Sequence, residues 1–340
     1  MFYPADMTFE QLTDFVVAQE LPKFRAGQIA KWLASGVFDF EQMTDLSKPL
    51  REKLSRCASL PVIDPVKKLV DPDGTVKYLF RLHDGALIET VVMNYRHGNS
   101  VCISSQVGCR MNCAFCASSL TGLQRCLTAG EMLAQIEYVN RENKVSSVVV
   151  MGIGEPFDNF DNIVLFLRNI SDPRIFGLSL RHVSVSTCGI VPKIDELAAM
   201  KLQLTLSVSL HAPDDETRNK IMPVNRKWNI SQLMDACRRY IASTGRRISF
   251  EYTLIDGINS SPAQAEKLAA LLKGMLCHVN LIPVNYVMER GMRPAPPEAV
   301  RKFQSVLEDR GINVTVRRTL GEEINAACGQ LRHVSSKENS

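Results

Sequence analysis

Downstream of residue 100 the hydrophobic positions alternate regularly between two periods. Short runs rich in Val, Ile and Leu at 100–104, 145–151, 182–186, 204–210, 248–254 and 278–284 read as strands. Between them, apolar residues spaced three and four apart predict helices. One is opened by the capping box Thr128-Ala129-Gly130-Glu131, and others cover about 159–170, 192–200, 230–243, 262–274 and 297–310. Six strand–helix units in a row predict a parallel sheet, and six are too few to close an eight-stranded barrel. The expected fold is therefore α/β, with a partial parallel (βα)6 barrel spanning residues 100–333.

Two other patterns precede it. Residues 1–60 read as a small helical domain: Thr8-Phe9-Glu10-Gln11 is a capping-box pattern, and Leu12, Phe15, Val16, Ile29, Trp32, Leu33, Leu50 and Leu54 recur at helical spacing. Lys23, Arg25, Lys31 and Arg51 on its polar positions suit either RNA docking or a cap on the larger domain. Residues 61–99 form a short β extension. After the turn Asp71-Pro72-Asp73-Gly74, Val76, Tyr78, Phe80 and Leu82 alternate, then Leu87, Glu89, Val91 and Met93, predicting an antiparallel meander. Glu89 shares a face with Leu87, Val91 and Met93, and the pattern alone places that face on an exposed edge. The polar tail 334–340 is expected to be disordered.

Composition narrows the classes. A 45% hydrophobic fraction in 340 residues allows a large core, no run approaches the eighteen apolar residues of a membrane span, and the start lacks a signal-peptide pattern. A cytoplasmic, membrane-free monomer is expected. Ten cysteines are too sparse for a disulfide scaffold. Cys57, Cys188, Cys237 and Cys277 stand alone and read as small buried hydrophobes, and Cys126 has no assigned role. Net charge is only +4, so nucleic-acid binding is not announced by charge. Local basic groups, Lys67-Lys68, Arg218 through Lys227, Arg238-Arg239, Arg246-Arg247 and Arg317-Arg318, would track phosphates only if folding gathers them.

Chemistry concentrates after the strands, where parallel α/β folds place their active face. The first strand runs into Cys109, Cys113 and Cys116 in a C-x3-C-x2-C run. Three thiolates holding a four-iron cluster leave one iron open, whereas a structural zinc needs four ligands. Spacing alone leaves a zinc knuckle possible, with Cys126 or Cys102 as fourth ligand. Later strands end in Gly152-Ile153-Gly154-Glu155-Pro156, Ser186-Thr187-Cys188-Gly189, Ser209-Leu210-His211 and Pro283-Val284-Asn285. Singly these are weak signals: a Gly-x-Gly-Glu is often a mere turn, and a lone histidine is usually structural.

Together with Asn-Ala-Ala-Cys-Gly-Gln-Leu at 325–331, these motifs resemble the radical S-adenosylmethionine (SAM) RNA adenine methyltransferases, the RlmN/Cfr family, over residues 8–333. Pro156 and Pro283-Val284-Asn285 tilt the resemblance toward the branch that methylates adenine C2. It implies a [4Fe-4S] cluster on Cys109, Cys113 and Cys116, and SAM held by Gly154, Glu155, Ser186, Ser209, Leu210, His211 and Asn285. Adenine C2 is electron-poor, so a radical must do what polar methyl transfer cannot. The resemblance assigns Cys328 as the S-methyl carrier, charged by one SAM and activated through a second. Cys102 is the resolving thiol that releases product through a transient disulfide with Cys328, and Glu89 is the proton acceptor. The implied partners are 23S rRNA at the peptidyl transferase centre, tRNA, and an electron donor such as flavodoxin or ferredoxin. Two alternatives remain: C8 methylation of the same rRNA adenine, conferring antibiotic resistance, and a non-enzymatic zinc-dependent RNA-binding protein.

Overall fold

The computed structural model describes residues 2–317, Gly321 and Ile324. Cys328, the 325–331 motif and the tail fall outside them. The N-terminal module contains α1 (Phe9–Ala18), α2 (Phe24–Ala34) and α3 (Lys48–Cys57). Thr8 and Gln11 form the reciprocal cap expected at α1. Leu12, Phe15, Val16, Ile29, Leu33, Met43 and Leu54 bury together in a core of its own. The module is also fastened to the rest of the chain. Asp6 Oδ1 accepts a hydrogen bond from the Gly130 N–H at 2.6 Å, at the start of α4 (Ala129–Asn140), and Asn169 Nδ2 donates to the Met7 carbonyl at 3.0 Å.

The meander is β1 (Ile63–Val70), β2 (Val76–Leu82) and β3 (Leu87–Tyr95), and β4 (Gly98–Cys102) follows. These strands extend the parallel sheet with an antiparallel end. Beyond β4 come β5 (Gln106–Gly108) and β6 (Leu123–Cys126), a two-stranded hairpin, then β7 (Val145–Val150), α5 (Phe160–Ser171), β8 (Val183–Thr187) and α6 (Val191–Ala199). The chain continues through β9 (Thr205–Ser209), α7 (Asp215–Ile221), α8 (Ile230–Thr244), β10 (Ile248–Leu254), α9 (Pro262–Leu272), β11 (Cys277–Pro283), α10 (Pro297–Asp309) and β12 (Val314–Val316). Among the described residues the sheet order is β1-β2-β3-β4-β7-β8-β9-β10-β11-β12, parallel from β4 onward. The six expected strands all form, each within two residues of its predicted ends. The β5–β6 hairpin, α7 and β12 are additions too short for the pattern to reveal.

Several of the central strands alternate between a core face and a polar face. Val183 and Val185 enter the main core with Val148, Leu206, Val208 and Phe250, packed beneath the helices. Ser184 and Ser186 face the other way, and on that face Ser186 registers with Ser207, and Glu251 with Ser209 and Asn280. One cavity is lined from β7, β8, β9, β10 and β11 in turn, so the sheet curves around it as an open barrel with a polar inner wall. No helix among the described residues is long and apolar enough to cross a membrane.

The expectation for Glu89 is overturned. Strand β3 lies between β2 and β4, and Glu89 is 2% exposed, not on an edge. Its carboxylate meets Lys77 Nζ at 3.0 Å, with Lys77 fully buried. The expectation of a basic surface from Arg218 to Lys227 also fails at its first residue, because Arg218 is completely buried.

Candidate active site

The site is built at the ends of the parallel strands. After β4 the chain makes the β5–β6 hairpin, whose connection carries the three cysteines. The Cys109 N–H donates to the Gly122 carbonyl at 3.1 Å, and Cys116 N–H to the Cys113 carbonyl at 3.1 Å. The Ala114 N–H reaches across to the Ile221 carbonyl of α7 at 2.9 Å, tying this loop to the far side of the barrel. Arg290 Nη2 adds a clasp on Ser119 Oγ at 2.8 Å.

Cys109, Cys113 and Cys116 line one cavity of about 220 Å³ with Met111, Phe115, Gly154, Glu155, Ser186, Ser209, His211, Glu251 and Arg317. Of the seven positions expected to hold SAM, five therefore converge with the thiols. Leu210 instead turns its side chain into the core, leaving only main chain to offer, and Asn285 stands exposed just beyond β11. Glu251, Arg317 and Cys188 also line the cavity. Arg317 follows β12 directly and Cys188 follows β8 within the Ser186–Gly189 segment, whereas Glu251 sits mid-strand in β10, where nothing in the sequence pattern marked it.

Local geometry explains the Gly-x-Gly-Glu motif. At Gly152 a Cβ would stand 2.5 Å from the Ile103 carbonyl oxygen. Gly154 has φ +115°, and a Cβ there would lie 2.7 Å from Gln106 Cβ. Glu155 is buried and already satisfied: Oε1 accepts from Thr187 Oγ1 at 2.7 Å and Phe157 N–H at 3.0 Å, and Oε2 from Cys188 N–H at 2.8 Å. Burial pushes its pKa up, and those hydrogen bonds oppose the rise.

His211 adopts a left-handed backbone, φ +57°. Its Nδ1 accepts the Thr253 N–H at 2.9 Å, which leaves the proton of the neutral ring on Nε2. Phe115 from the cysteine loop meets the ring edge-on with centroids 4.8 Å apart. Burial, assisted by the Arg218 charge, depresses the His211 pKa to about 3. It is at once a satisfied structural histidine and part of the cavity wall.

Cys102 lies one strand from Glu89. Val91 pairs with both Lys77 and Cys102, so the three side chains share the inner face with Glu89. Burial lifts the Cys102 pKa to about 11, while Arg317, a hydrogen bond from the Met151 main chain and Lys77 pull it down. Met151 and Arg317 both line the cysteine cavity, so Cys102 sits just behind its wall.

The donor set fits an iron–sulfur cluster. Burial pushes Cys109 up to about 12 and Cys113 well above the usual thiol range, with the other thiolates adding to both. Cys109 and Cys113 are held as thiolates only when a cationic centre binds them. Cys126, the proposed fourth zinc ligand, lines a different cavity with His83, Arg125 and Glu131.

An open parallel barrel that presents three thiols, a Gly-x-Gly-Glu turn and a polar inner wall to one cavity defines the radical SAM class. Residues 103–269 match the model of the radical SAM superfamily, and 5–60 that of the ribosomal RNA large subunit methyltransferase N-terminal domain. A radical SAM methyltransferase from Sphaerobacter thermophilus superposes with a TM-score of 0.94 at 43% identity, covering 97% of this chain and 99% of that one. The particular family follows from closer relatives. Proteins described as probable dual-specificity RNA methyltransferase RlmN, from Bacillus thuringiensis strain Al Hakam and Bacillus anthracis strain A0248, are each 50% identical over 340 residues, covering 98% of this chain and 94% of theirs. The chain belongs to the RlmN family of radical SAM RNA methyltransferases, and the radical SAM family implies a [4Fe-4S] cluster and SAM.

Proposed function

We propose that this enzyme methylates C2 of adenine in 23S rRNA at the peptidyl transferase centre, and in tRNA, through a methyl group carried on Cys328. The observation that supports this reading is that Glu89 and Cys102 lie on neighbouring strands and one face of the sheet, with Cys102 next to Met151 and Arg317, which line the cavity of the three thiols. A base and a second thiol are what methylation of an adenine C–H through a cysteine requires beyond the radical machinery, and the preference for C2 over C8 rests on the resemblance carried by Pro156 and Pro283-Val284-Asn285.

Cys109, Cys113 and Cys116 would hold the cluster, and Gly154, Glu155, Ser186, Ser209, the Leu210 main chain, His211 and Asn285 would hold SAM. Bound there, the cluster and SAM supply the oxidising carbon radical, two SAM molecules being consumed per turnover. The chain's own residues do the rest. Glu89 takes the proton that leaves C2, its carboxylate held in position by Lys77. Cys102 gives its proton to a base as it attacks Cys328 sulfur; the S–S bond forms, the S–C bond breaks with its electron pair left on the departing methylene carbon, and a proton added there completes the product methyl group. Arg317 favours the Cys102 thiolate, because its positive charge acts on that sulfur. The buried inner wall excludes water and protects the radical. The N-terminal module, anchored through Asp6 and Met7, presents the RNA.

The deciding experiment is anaerobic turnover with SAM, a low-potential reductant and either 23S rRNA or tRNA, followed by nucleoside mass spectrometry. Formation of 2-methyladenosine supports the reading. Formation of 8-methyladenosine alone would replace it with the C8 branch.

A further inference from the structure

Arg218 is the largest fully buried side chain described, and its charge is unaccounted for by the reaction above. Its Nε donates to the Leu210 carbonyl at 3.0 Å, and Nη2 to the carbonyls of Cys188 at 2.7 Å and Ser209 at 3.1 Å. Nη1 donates to Asn225 Oδ1 at 2.9 Å. Every partner is thus a neutral oxygen, and among the described residues Arg218 joins no ion pair. Asn225 passes the network on, donating to Asp215 Oδ1 at 2.8 Å, so the hydrogen-bonded counter-charge stands one residue removed, at the exposed start of α7.

Neutral donors would suffice to satisfy those carbonyls. A buried cation instead costs several kcal/mol in desolvation unless an anion compensates it. The anion available is the site itself. Arg218 lies on α7, whose last residue accepts the hydrogen bond from Ala114 in the cysteine loop, and its charge acts on Cys113, Cys188 and His211. A [4Fe-4S] core with three thiolates carries net negative charge, and reduction adds another.

Resting on the cluster reading above, we propose that Arg218 is a positioning residue with two linked effects. Its planar array of N–H groups locks the ends of β8 and β9 around the SAM cavity. Its uncompensated charge makes the adjacent cluster easier to reduce. The step concerned is transfer of one electron from a low-potential one-electron donor to the cluster, with no proton moved. A fixed buried cation stabilises the more negative product over the oxidised cluster.

The test uses the full chain, reconstituted anaerobically with iron and sulfide, with the cluster titrated by dithionite without SAM and followed by electron paramagnetic resonance. Arg218→Gln, which keeps N–H donors but no charge, is expected to disfavour reduction by about tenfold, a shift of roughly 59 mV to more negative potential. Arg218→Lys, which keeps the charge but not the planar array, is expected to hold the potential near wild type while raising the KM for SAM. Asp215→Asn preserves the acceptor for Asn225 and removes the distal anion, so it should shift the potential modestly positive, and it serves if Arg218→Gln does not fold. An unchanged potential in Arg218→Gln, an equal drop in Arg218→Lys, or no positive shift in Asp215→Asn would overturn the proposal. Wild-type chain that assembles no four-iron cluster would instead remove the reading on which it rests.

Discussion

Lys77 Nζ stands 3.0 Å from Glu89 Oε2 at the inner face of the sheet, both side chains buried. Breaking such a pair strands a charge, and the loss typically costs about 3–5 kcal/mol. Lys77→Met should therefore lower stability by that order in denaturant unfolding, and Lys77→Met combined with Glu89→Gln should recover much of it. An additive double mutant would show that the two residues are not coupled. Glu89→Gln alone is expected to leave Cys328 methylated while product formation falls at least about a hundredfold, the low end of what a positioned base contributes.

Cys102→Ala removes the thiol that releases product. The expected outcome is accumulation of a covalent RNA–protein adduct through Cys328, visible as a nuclease-sensitive mass increase. Undiminished methylation without adduct would assign release to another group.

Gly154→Ala forces a Cβ to 2.7 Å from Gln106 Cβ at a φ of +115°. The strain should cost about 1–3 kcal/mol and push the Glu155 turn off its position, so SAM binding measured by equilibrium dialysis should weaken more than tenfold. Wild-type affinity would show that the turn does not contact the cofactor.

His211 gives the chain a pH signature. Its folded pKa of about 3 lies below the roughly 6.5 of an unfolded histidine. Between those values the unfolded state binds more protons, so this contribution is full above about pH 6.5 and is lost as pH falls toward 3. At pH 5.5 it should amount to a loss of about 1.4 kcal/mol relative to pH 8. His211→Asn keeps an acceptor for Thr253 and tolerates the left-handed backbone, and it should abolish that component. Unfolding curves for both proteins at the two pH values check it.

How much of this is written legibly in the chain depends on distance along it. Strand and helix alternation is local, and capping boxes at Thr8 and Thr128 announce their helices outright. The glycines at 152 and 154 stood out as a motif, but part of what requires them comes from far along the chain, the close approach of Ile103 and Gln106. Glu89 was misread because its environment is made by Lys77 on the neighbouring strand and by β4 on the other side. Period-two alternation assigns a residue to a face but does not say which face the barrel encloses. Arg218 looked like part of a basic surface run for a similar cause: its acceptors are carbonyls at 188, 209 and 210, and carbonyls carry no residue identity. The helix that bears it has seven residues, too few to display a period.

Strand β4 pairs antiparallel with β3 and parallel with β7, and the chain leaving it is fastened at once by Ile103 to Val149 and by Ser105 to Ile153. Cys102 and Cys109 are thereby joined by a short, fully laced span of backbone that works as a ruler. A single inserted residue anywhere in that span would displace thiol and cysteine loop relative to each other.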